Sequence, residues 1–251
     1  MALFRNAHHS HEHSLEVLNL IYGYDSFLDN LGVIADMGCG AGLDAAWWAS
    51  LYTRDDPPEP RNYKVYAVDQ NIRQLDPDVL KAHPNIIPIE ADFTRRCIPL
   101  NADLIWSHDS FHLVADPLSC LDTWRGMLNP DGMLVLSIPQ TTYVVDNRLV
   151  VANHNHQFHN YNVLNLIYML ALSGFDCRDA YFYRKVNSPW LYAACYATSQ
   201  QPLPPTTTWH ELVELGLVHE RIALSVEKYG HARIEDLIVT WLDKDFYQIS
   251  S

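Results

Sequence analysis

Residues 33–42, VIADMGCGAG, constrain the fold of this chain more than any other stretch. An apolar run ends in Asp36, three glycines follow at alternate positions, and residues 43–49, LDAAWWA, have the composition of a helix. A strand, a tight glycine turn and a helix in this order form the nucleotide-binding corner of doubly wound α/β sheets. Glycine allows positive φ and lets a ligand lie directly against the backbone, and the N-terminus of the following helix presents unpaired N–H groups. The stretch therefore predicts an α/β fold with a ligand site at this corner.

The order Asp-x-Gly-x-Gly-x-Gly over residues 36–42 resembles motif I of the class I S-adenosylmethionine-dependent methyltransferases. Dinucleotide dehydrogenases favour Gly-x-Gly-x-x-Gly without the preceding acid. Adenosylmethionine has no pyrophosphate, and its amino-acid end carries an ammonium for which a carboxylate near the turn is useful. The alternative is a purely structural turn. The resemblance implies S-adenosylmethionine as cofactor and S-adenosylhomocysteine as product, with no metal required. Its candidate contacts here are Asp36, Gly38, Cys39, Gly40 and Gly42.

Two further predicted strands end in acids that suit the same ligand. The run KVYAVD ends in Asp69, where a carboxylate can accept hydrogen bonds from both ribose hydroxyls, and Gln70 follows it. Residues 85–93 end in Asp92 and Phe93. The resemblance implies that Asp92 accepts from the adenine amino group and that the backbone N–H of Phe93 meets a ring nitrogen. The alternatives are a solvated strand end for Asp69 and a core position for Phe93.

Residues 101–114, NADLIWSHDSFHLV, are predicted to form a fourth strand and the loop beyond it. They resemble motif IV of small-molecule methyltransferases related to ubiquinone and menaquinone biosynthesis, which adds Ser107 to the candidate cofactor contacts. In-line displacement at a sulfonium needs chiefly alignment, and it needs a base only when the acceptor is a hydroxyl or a protonated nitrogen. The candidate bases are His108, Asp109 and His112. Two of these residues have an alternative to acting as a base. His108 could bind the ligand through its backbone alone, and His112 could be a core residue.

The remaining pattern matches the fold that the resemblance implies: a Rossmann-like, doubly wound, seven-stranded α/β sheet, mostly parallel, with one antiparallel strand in a terminal hairpin and helices on both faces. Asp116 opens a predicted helix whose apolar residues extend to Leu128, and a turn with Asp131 in a position where the family has glycine leads into strand five. A helix over residues 162–173 stops at Gly174. The terminal hairpin is predicted from two runs, residues 175–183 and 190–198.

Residues 139–157 form a long polar and aromatic segment, and the resemblance implies that it lines the acceptor pocket. Loops held by a rigid scaffold commonly carry function. His154 and His156 are therefore candidate substrate-binding residues. The alternative is that they bind a metal ion together with His159, but spacing is the one argument for it.

The chain divides into a polar leader (residues 1–13), a methyltransferase core (14–199) and a linker with a small helical C-terminal appendage (200–251). The histidines of the leader favour a solvated segment over a metal site. In the appendage, residues 208–211, TWHE, are a capping box, and apolar residues at helical spacing predict a helix over 234–242. Because the appendage is too small and too apolar to fold alone, it packs on the core, covers the substrate pocket or forms a homodimer interface.

Composition narrows the range of partners. The formal net charge of −13 argues against an affinity built on neutralising many phosphates. The chain also lacks the Asn/Asp-Pro-Pro-aromatic signature of amino methyltransferases acting on DNA or glutamine, so a small-molecule acceptor is favoured over nucleic acid. Five scattered cysteines favour free thiols in a reducing compartment. No apolar run approaches the ~20 residues that span a bilayer, and the polar start does not resemble a secretory signal, so a cytoplasmic location is expected.

The sequence therefore favours methyl transfer from S-adenosylmethionine to an O or N atom of a small molecule. Two other functions stay open at this stage. One is a non-catalytic subunit or regulator that binds the cofactor, and the other is a protein or RNA methyltransferase that depends on a partner.

Overall fold

The structure, a computed structural model, describes residues 28–53, 55, 57–139, 142–145, 148–151, 158–159, 161–184, 190–229 and 240–241. Within these residues, strands and helices alternate around one main sheet. The strands are β1 (Val33–Met37), β2 (Lys64–Asp69), β3 (Ile86–Glu90), β4 (Ala102–His108), β5 (Leu128–Pro139), β6 (Thr142–Val145), β7 (Arg148–Val151), β8 (Phe175–Arg184), β9 (Trp190–Ala197) and β10 (Thr240–Trp241).

The main sheet has the strand order β10-β8-β9-β5-β4-β1-β2-β3. β1 pairs in parallel with β2 and β4, β2 with β3, and β4 with β5, whereas β9 runs antiparallel between β5 and β8. The seven strands from β8 to β3 confirm the predicted doubly wound sheet with one antiparallel strand in its terminal hairpin. β10 adds a two-residue parallel edge beside β8. β6 and β7 form a separate antiparallel hairpin inside the segment predicted as a polar loop.

The helices bounded within the described residues are α1 (Leu43–Ala49), α2 (Pro77–Ala82), α3 (Pro117–Arg125), α4 (Val163–Leu172), α5 (Trp209–Glu214) and α6 (Glu220–Tyr229). Asp116 opens α3 as predicted, because its side chain accepts a hydrogen bond from the backbone N–H of Ser119 at 3.2 Å. The helix ends at Arg125 and not near Leu128. Leu128 instead begins β5, because a turn closed by the Met127 N–H on the Trp124 carbonyl reverses the chain first.

Both faces of the sheet are covered by helices. Successive side chains of a strand point to opposite faces, and β1 shows this directly. Ile34 belongs to a buried cluster with Trp48 of α1, whereas the next residue, Ala35, belongs to a second buried cluster with Trp124 of α3 and Ile167 of α4. Strands that are apolar on both faces are typical of parallel sheets between two helical layers. This arrangement exposes only the ends of the strands to a ligand.

The described part of the C-terminal appendage packs on the core. Leu212 of α5 and Ile222 of α6 are fully buried in the cluster that contains α4, and the N–H of Cys177 in β8 donates to the carbonyl of Leu217 at 2.9 Å. Trp241 does not lie in the helix predicted over 234–242, because it pairs with Phe182 at the edge of the sheet, where unpaired backbone groups favour an added strand.

Three predictions about the fold lie outside the described residues: the leader, the helix expected to follow it, and residues 230–239 of the C-terminal helix. In the described part of the chain, no helix is long and apolar enough to cross a membrane.

Candidate active site

The three glycines of the first motif build the turn between β1 and α1, with φ values of 80°, 51° and 79° at Gly38, Gly40 and Gly42. A Cβ atom on Gly38 would overlap the Cβ of Ser110 and lie 2.6 Å from its Oγ, and one on Gly42 would overlap the side chain of Leu75. Gly40 is different, because a Cβ there would meet no atom within 4 Å. Neighbouring side chains therefore require glycine at 38 and 42, whereas the backbone at 40 is accessible to a ligand.

Asp69 joins the end of β2 to this turn. Its Oδ2 accepts a hydrogen bond from the N–H of Gly40 at 3.0 Å, and its Oδ1 accepts one from the N–H of Asn71 at 2.9 Å. The N–H of Gly38 donates to the carbonyl of Val68 at 2.8 Å. These bonds fix the carboxylate beside the exposed backbone of the turn.

Asp92 and Phe93 follow β3 on the same side of the sheet. The Oδ1 of Asp92 accepts from the hydroxyl of Thr94 at 2.6 Å and from its N–H at 3.0 Å, and Oδ2 lies 3.4 Å from the Nε of Arg95. These contacts, the Thr94 hydroxyl foremost, lower the pKa of Asp92 and keep it ionised. Phe93 is 8% exposed, and its carbonyl accepts from the indole N–H of Trp124 at 2.7 Å. It is therefore a core residue that also borders the site.

An open cleft of about 970 Å³ lies at the carboxyl ends of β1 to β4, where ligands bind in open α/β sheets. Ten residues were predicted as cofactor contacts, and six of them line the cleft: Gly38, Gly40, Asp69, Gln70, Asp92 and Phe93. The other four do not line it: Asp36, Cys39, Gly42 and Ser107.

Ser107 and Cys39 support the wall of the cleft. The Oγ of Ser107 lies 2.7 Å from the Oγ of Ser110, which donates to the carbonyl of Met37 at 2.6 Å. Both serines are buried, so this pair of hydroxyls fixes the residue that packs on the first glycine. Cys39 is also buried, and burial raises the pKa of its thiol, which keeps it protonated.

Two buried carboxylates lie behind the turn. Asp36 is 1% exposed and Asp44 is 8% exposed. Asp44 accepts a hydrogen bond from the indole N–H of Trp106 at 2.7 Å, and its Oδ2 lies 3.9 Å from the Nδ1 of His108. Burial raises the pKa of both carboxyls, and the charge of Asp44 raises that of Asp36 further. The His108 ring packs against Trp190, with ring centroids 5.2 Å apart, and it does not line the cleft.

Asp109 is the candidate base that lines the cleft. It adopts a left-handed conformation with φ 51°, and its N–H donates to the carbonyl of Ser137 in β5 at 2.9 Å. Its side chain is 52% exposed, yet burial of the carboxyl raises its pKa to about 6. His112 is 5% exposed in a short 3-10 helix, with its Nδ1 3.7 Å from the Oδ1 of Asp109, and it does not line the cleft. A carboxylate that titrates near neutrality can act as a general base.

His154 and His156 lie outside the described residues. Among the residues that the structure does describe, no group of three or more His, Cys, Asp or Glu side chains is arranged to hold a metal ion. Sequence reasoning missed Asp44, Arg95 and Asp116, of which the last two line the cleft. An acid in the first turn of a helix is a recognised signal and pointed to Asp44. Asp116 was predicted only as the residue that opens α3, and Arg95 carried no such signal.

Residues 35–136 match the family model of a methyltransferase domain. This match covers the glycine turn, Asp69, Asp92 and Asp109, and it extends from β1 to β5 of the main sheet. Residues 35–136 are therefore a methyltransferase domain, and the cofactor expected for such a domain is S-adenosylmethionine. The site fits this cofactor, because the cleft combines the accessible backbone at Gly40 with carboxylates that follow β2 and β3.

Solved structures of the same fold include three methyltransferases. The 1,6-didemethyltoxoflavin-N1-methyltransferase of Burkholderia thailandensis, solved with 1,6-didemethyltoxoflavin and S-adenosylhomocysteine, is 17% identical over 69% of this chain and 74% of that chain, with a TM-score of 0.52. The N-methyltransferase NodS of Bradyrhizobium japonicum is 15% identical over 76% and 97%, with a TM-score of 0.50. A SAM-dependent methyltransferase of Aquifex aeolicus is 17% identical over 72% and 92%, with a TM-score of 0.50. No curated protein sequence matches the chain.

Proposed function

We propose that this methyltransferase transfers the methyl group of S-adenosylmethionine to an O or N atom of a small-molecule acceptor by in-line displacement. The observation that carries the proposal is the single cleft in which the glycine turn, Asp69 and Asp92 meet Asp109. Its volume of about 970 Å³ lies at the upper end of the ~300–1,000 Å³ typical of small-molecule sites. Such a volume suits a nucleoside-sized donor together with a small acceptor.

Bound adenosylmethionine supplies a methyl group already activated by its sulfonium, so the chain has mainly to bind and align. Asp69 is proposed to accept from the ribose hydroxyls and Asp92 from the adenine amino group, with Gly38, Gly40, Gln70 and Phe93 as further contacts. The four predicted contacts that do not line the cleft are proposed to stabilise the glycine turn: Asp36, Cys39, Gly42 and Ser107.

Among the three candidate bases, the geometry supports Asp109. It lines the cleft, and its pKa of about 6 suits proton removal near neutral pH. His112 is proposed to position it, since the two side chains approach to 3.7 Å. His108 is proposed to stabilise the buried Asp44.

The charge of the protein supports a small acceptor over nucleic acid. The chain has a formal net charge of −13, and the two arginines that line the cleft, Arg95 and Arg96, are engaged by Asp92, the Gly126 carbonyl and Asn101. Phosphate neutralisation by these side chains would require breaking those contacts.

Two further proposals concern the setting of the protein. The five cysteines are free thiols, which supports a reducing, cytoplasmic location. Leu215 and Leu224, 46% and 51% exposed at the C-terminal helices, support a homodimer through this surface.

Calorimetric titration with S-adenosylmethionine and S-adenosylhomocysteine tests the cofactor site. We expect saturable binding by the wild type and a loss of about 1–3 kcal/mol in Asp69→Ala, roughly 5–150-fold in Kd, the range for a hydrogen bond to a charged group. The matched control is Asp78→Ala, which removes an exposed acid from α2. Equal affinities of the wild type and Asp69→Ala would overturn the assigned role of Asp69. Absence of binding by the wild type would overturn the proposed function as a whole.

A further inference from the structure

We propose that the methyl acceptor is a cationic amine, and that Asp109 binds its ammonium group and takes a proton from it. This inference rests on the proposed function and names the class of its acceptor. Four carboxylates line the cleft: Asp69, Asp92, Asp109 and Asp116. Within the described residues, Asp109 differs from the other three because its carboxylate accepts no hydrogen bond from the protein.

The other three carboxylates accept hydrogen bonds from neighbouring residues of the protein. Asp69 accepts from two N–H groups of its own corner, and Asp92 accepts from both donors of Thr94. Asp116 accepts from the Ser119 N–H as the cap of α3. By contrast, no residue in the described part of the chain donates a hydrogen bond to the carboxylate of Asp109, and the Nδ1 of His112 lies 3.7 Å from its Oδ1.

Asp109 also has a fixed position. A left-handed conformation is uncommon for a residue other than glycine, although Asp and Asn tolerate it. Here it is held by the hydrogen bond from the Asp109 N–H to Ser137 in β5. The backbone that carries the carboxylate is therefore anchored to the central sheet, which suits a group that must meet one atom of the acceptor.

The charges around the cleft select a cation. Arg95 pairs with Asp92 at 3.4 Å, and Arg96 donates to the Gly126 carbonyl at 2.9 Å and to Asn101 at 3.0 Å. None of these contacts involves Asp109. An acceptor carrying a carboxylate or phosphate would be repelled by the same side chain that attracts an ammonium, and the charge of −13 over the whole chain acts in the same direction.

The proposed step balances. The acceptor's ammonium gives one proton to the Asp109 carboxylate, which becomes a neutral carboxyl, and the nitrogen regains its lone pair. That lone pair forms the new N–C bond to the methyl carbon while the C–S bond breaks, and the electrons of the broken bond remain on sulfur. The products are the methylated ammonium and S-adenosylhomocysteine, and the proton on Asp109 leaves to solvent.

A carboxylate suits an amine better than a hydroxyl. Burial raises the pKa of Asp109 to about 6, and an alkylammonium has a pKa of about 10.4. The proton transfer to Asp109 is therefore unfavourable but accessible. An aliphatic hydroxyl is a far weaker acid, and a carboxylate would leave it almost fully protonated.

The test uses S-adenosylmethionine with a labelled methyl group and a whole-cell metabolite extract separated by ion exchange into cationic, neutral and anionic fractions. Wild type, Asp109→Asn and the exposed control Asp78→Asn are compared. Asparagine keeps the size of the side chain and tolerates the left-handed backbone. We expect label in the cationic fraction with wild type and control. The methylation rate of Asp109→Asn at pH 7 is expected to be at least about 100-fold lower than that of the wild type. The affinity for S-adenosylhomocysteine, measured by calorimetry, stays unchanged in Asp109→Asn.

A pH profile separates proton removal from a merely structural role. The rate of Asp109→Asn is expected to recover towards the wild-type rate near the pKa of the free amine, because the acceptor then arrives deprotonated. Label only in the neutral or anionic fraction, or an Asp109→Asn rate equal to wild type, would overturn the amine inference while leaving methyl transfer intact. No label in any fraction, with cofactor bound, would overturn the proposed small-molecule transfer itself and this inference with it.

Discussion

Alanine substitutions at Gly38 and Gly40 separate the structural role of the glycine turn from its role in binding. Both residues have positive φ, so each alanine meets a left-handed penalty of about 1–2 kcal/mol, partly offset by about 0.4–1 kcal/mol from the stiffer unfolded chain. At Gly40 no steric penalty is added, because the new Cβ meets no atom within 4 Å. Gly40→Ala is therefore expected to cost only about 0–1.5 kcal/mol of unfolding free energy.

At Gly38 the new methyl overlaps Ser110 and displaces its hydroxyl from the Met37 carbonyl, a hydrogen bond of 2.6 Å. Overpacking costs about 1–3 kcal/mol and the hydrogen bond about 0.5–1.5 kcal/mol. Gly38→Ala should thus be about 2–4 kcal/mol less stable than Gly40→Ala, which corresponds to a melting temperature roughly 5–15 °C lower. The double variant Gly38→Ala/Ser110→Gly removes the overlapping atoms and should regain part of this difference.

Ligand binding in Gly40→Ala is expected to be weakened although the stability of this variant is nearly unchanged. Gly40→Ala, although well folded, adds a methyl group at the wall of the cleft and should weaken S-adenosylhomocysteine binding at least about tenfold, or 1.4 kcal/mol. Thermal unfolding with and without ligand, together with calorimetry, measures both quantities. Wild-type affinity in Gly40→Ala would refute the reasoning that the ligand lies against this backbone. Equal melting temperatures of the two single variants would refute the role assigned to Ser110.

Three further predictions concern charges. Asp109→Asn should increase the unfolding free energy near pH 7: the folded pKa of about 6 exceeds the unfolded ~3.9, so the wild type loses stability as pH rises between these values. Denaturant curves at pH 3.5 and 7.5 check this, and a gain of equal size at both pH values would contradict it. Trp106→Phe removes the 2.7 Å donor to buried Asp44 and should cost about 1–3 kcal/mol, less at acidic pH where Asp44 is protonated. A loss that is independent of pH would indicate lost packing alone. EDTA should leave turnover unchanged, since the displacement needs alignment only; activity restored by a divalent cation would contradict this.

The main sheet could be predicted because its signals are local. Each parallel strand is a short apolar run, and the acids or glycines that end β1, β2 and β3 mark its carboxyl end directly in the sequence. The caps at Asp116 and Thr208 likewise depend on residues three positions apart. Such patterns involve residues that are close in the sequence, and contacts with distant residues did not change the structures that they predict.

Features set by distant residues could not be predicted. Apolar residues at helical spacing precede Trp241 and predicted a helix. Trp241 instead forms a strand, because the edge of β8 offers backbone groups with which it pairs. The sequence could not separate Asp109 from His112 as bases. Asp109 lines the cleft and His112 is buried, and the backbone of Asp109 is held by the carbonyl of Ser137 in a different strand. The burial of Asp44 under Trp106 depends in the same way on contact between α1 and β4.

The position of β9 has a consequence for biosynthesis. This strand follows β8 in the chain but lies between β5 and β8 in the sheet, so β8 has no partner in the seven-stranded sheet until β9 has been translated. A nascent chain that stops before Trp190 presents the bare edge of β5, and such edges promote aggregation. The same arrangement suits reconstitution from two fragments. A polypeptide beginning after β7 carries both strands of the terminal hairpin, and it would restore activity by adding β9 to the vacant edge of its N-terminal partner.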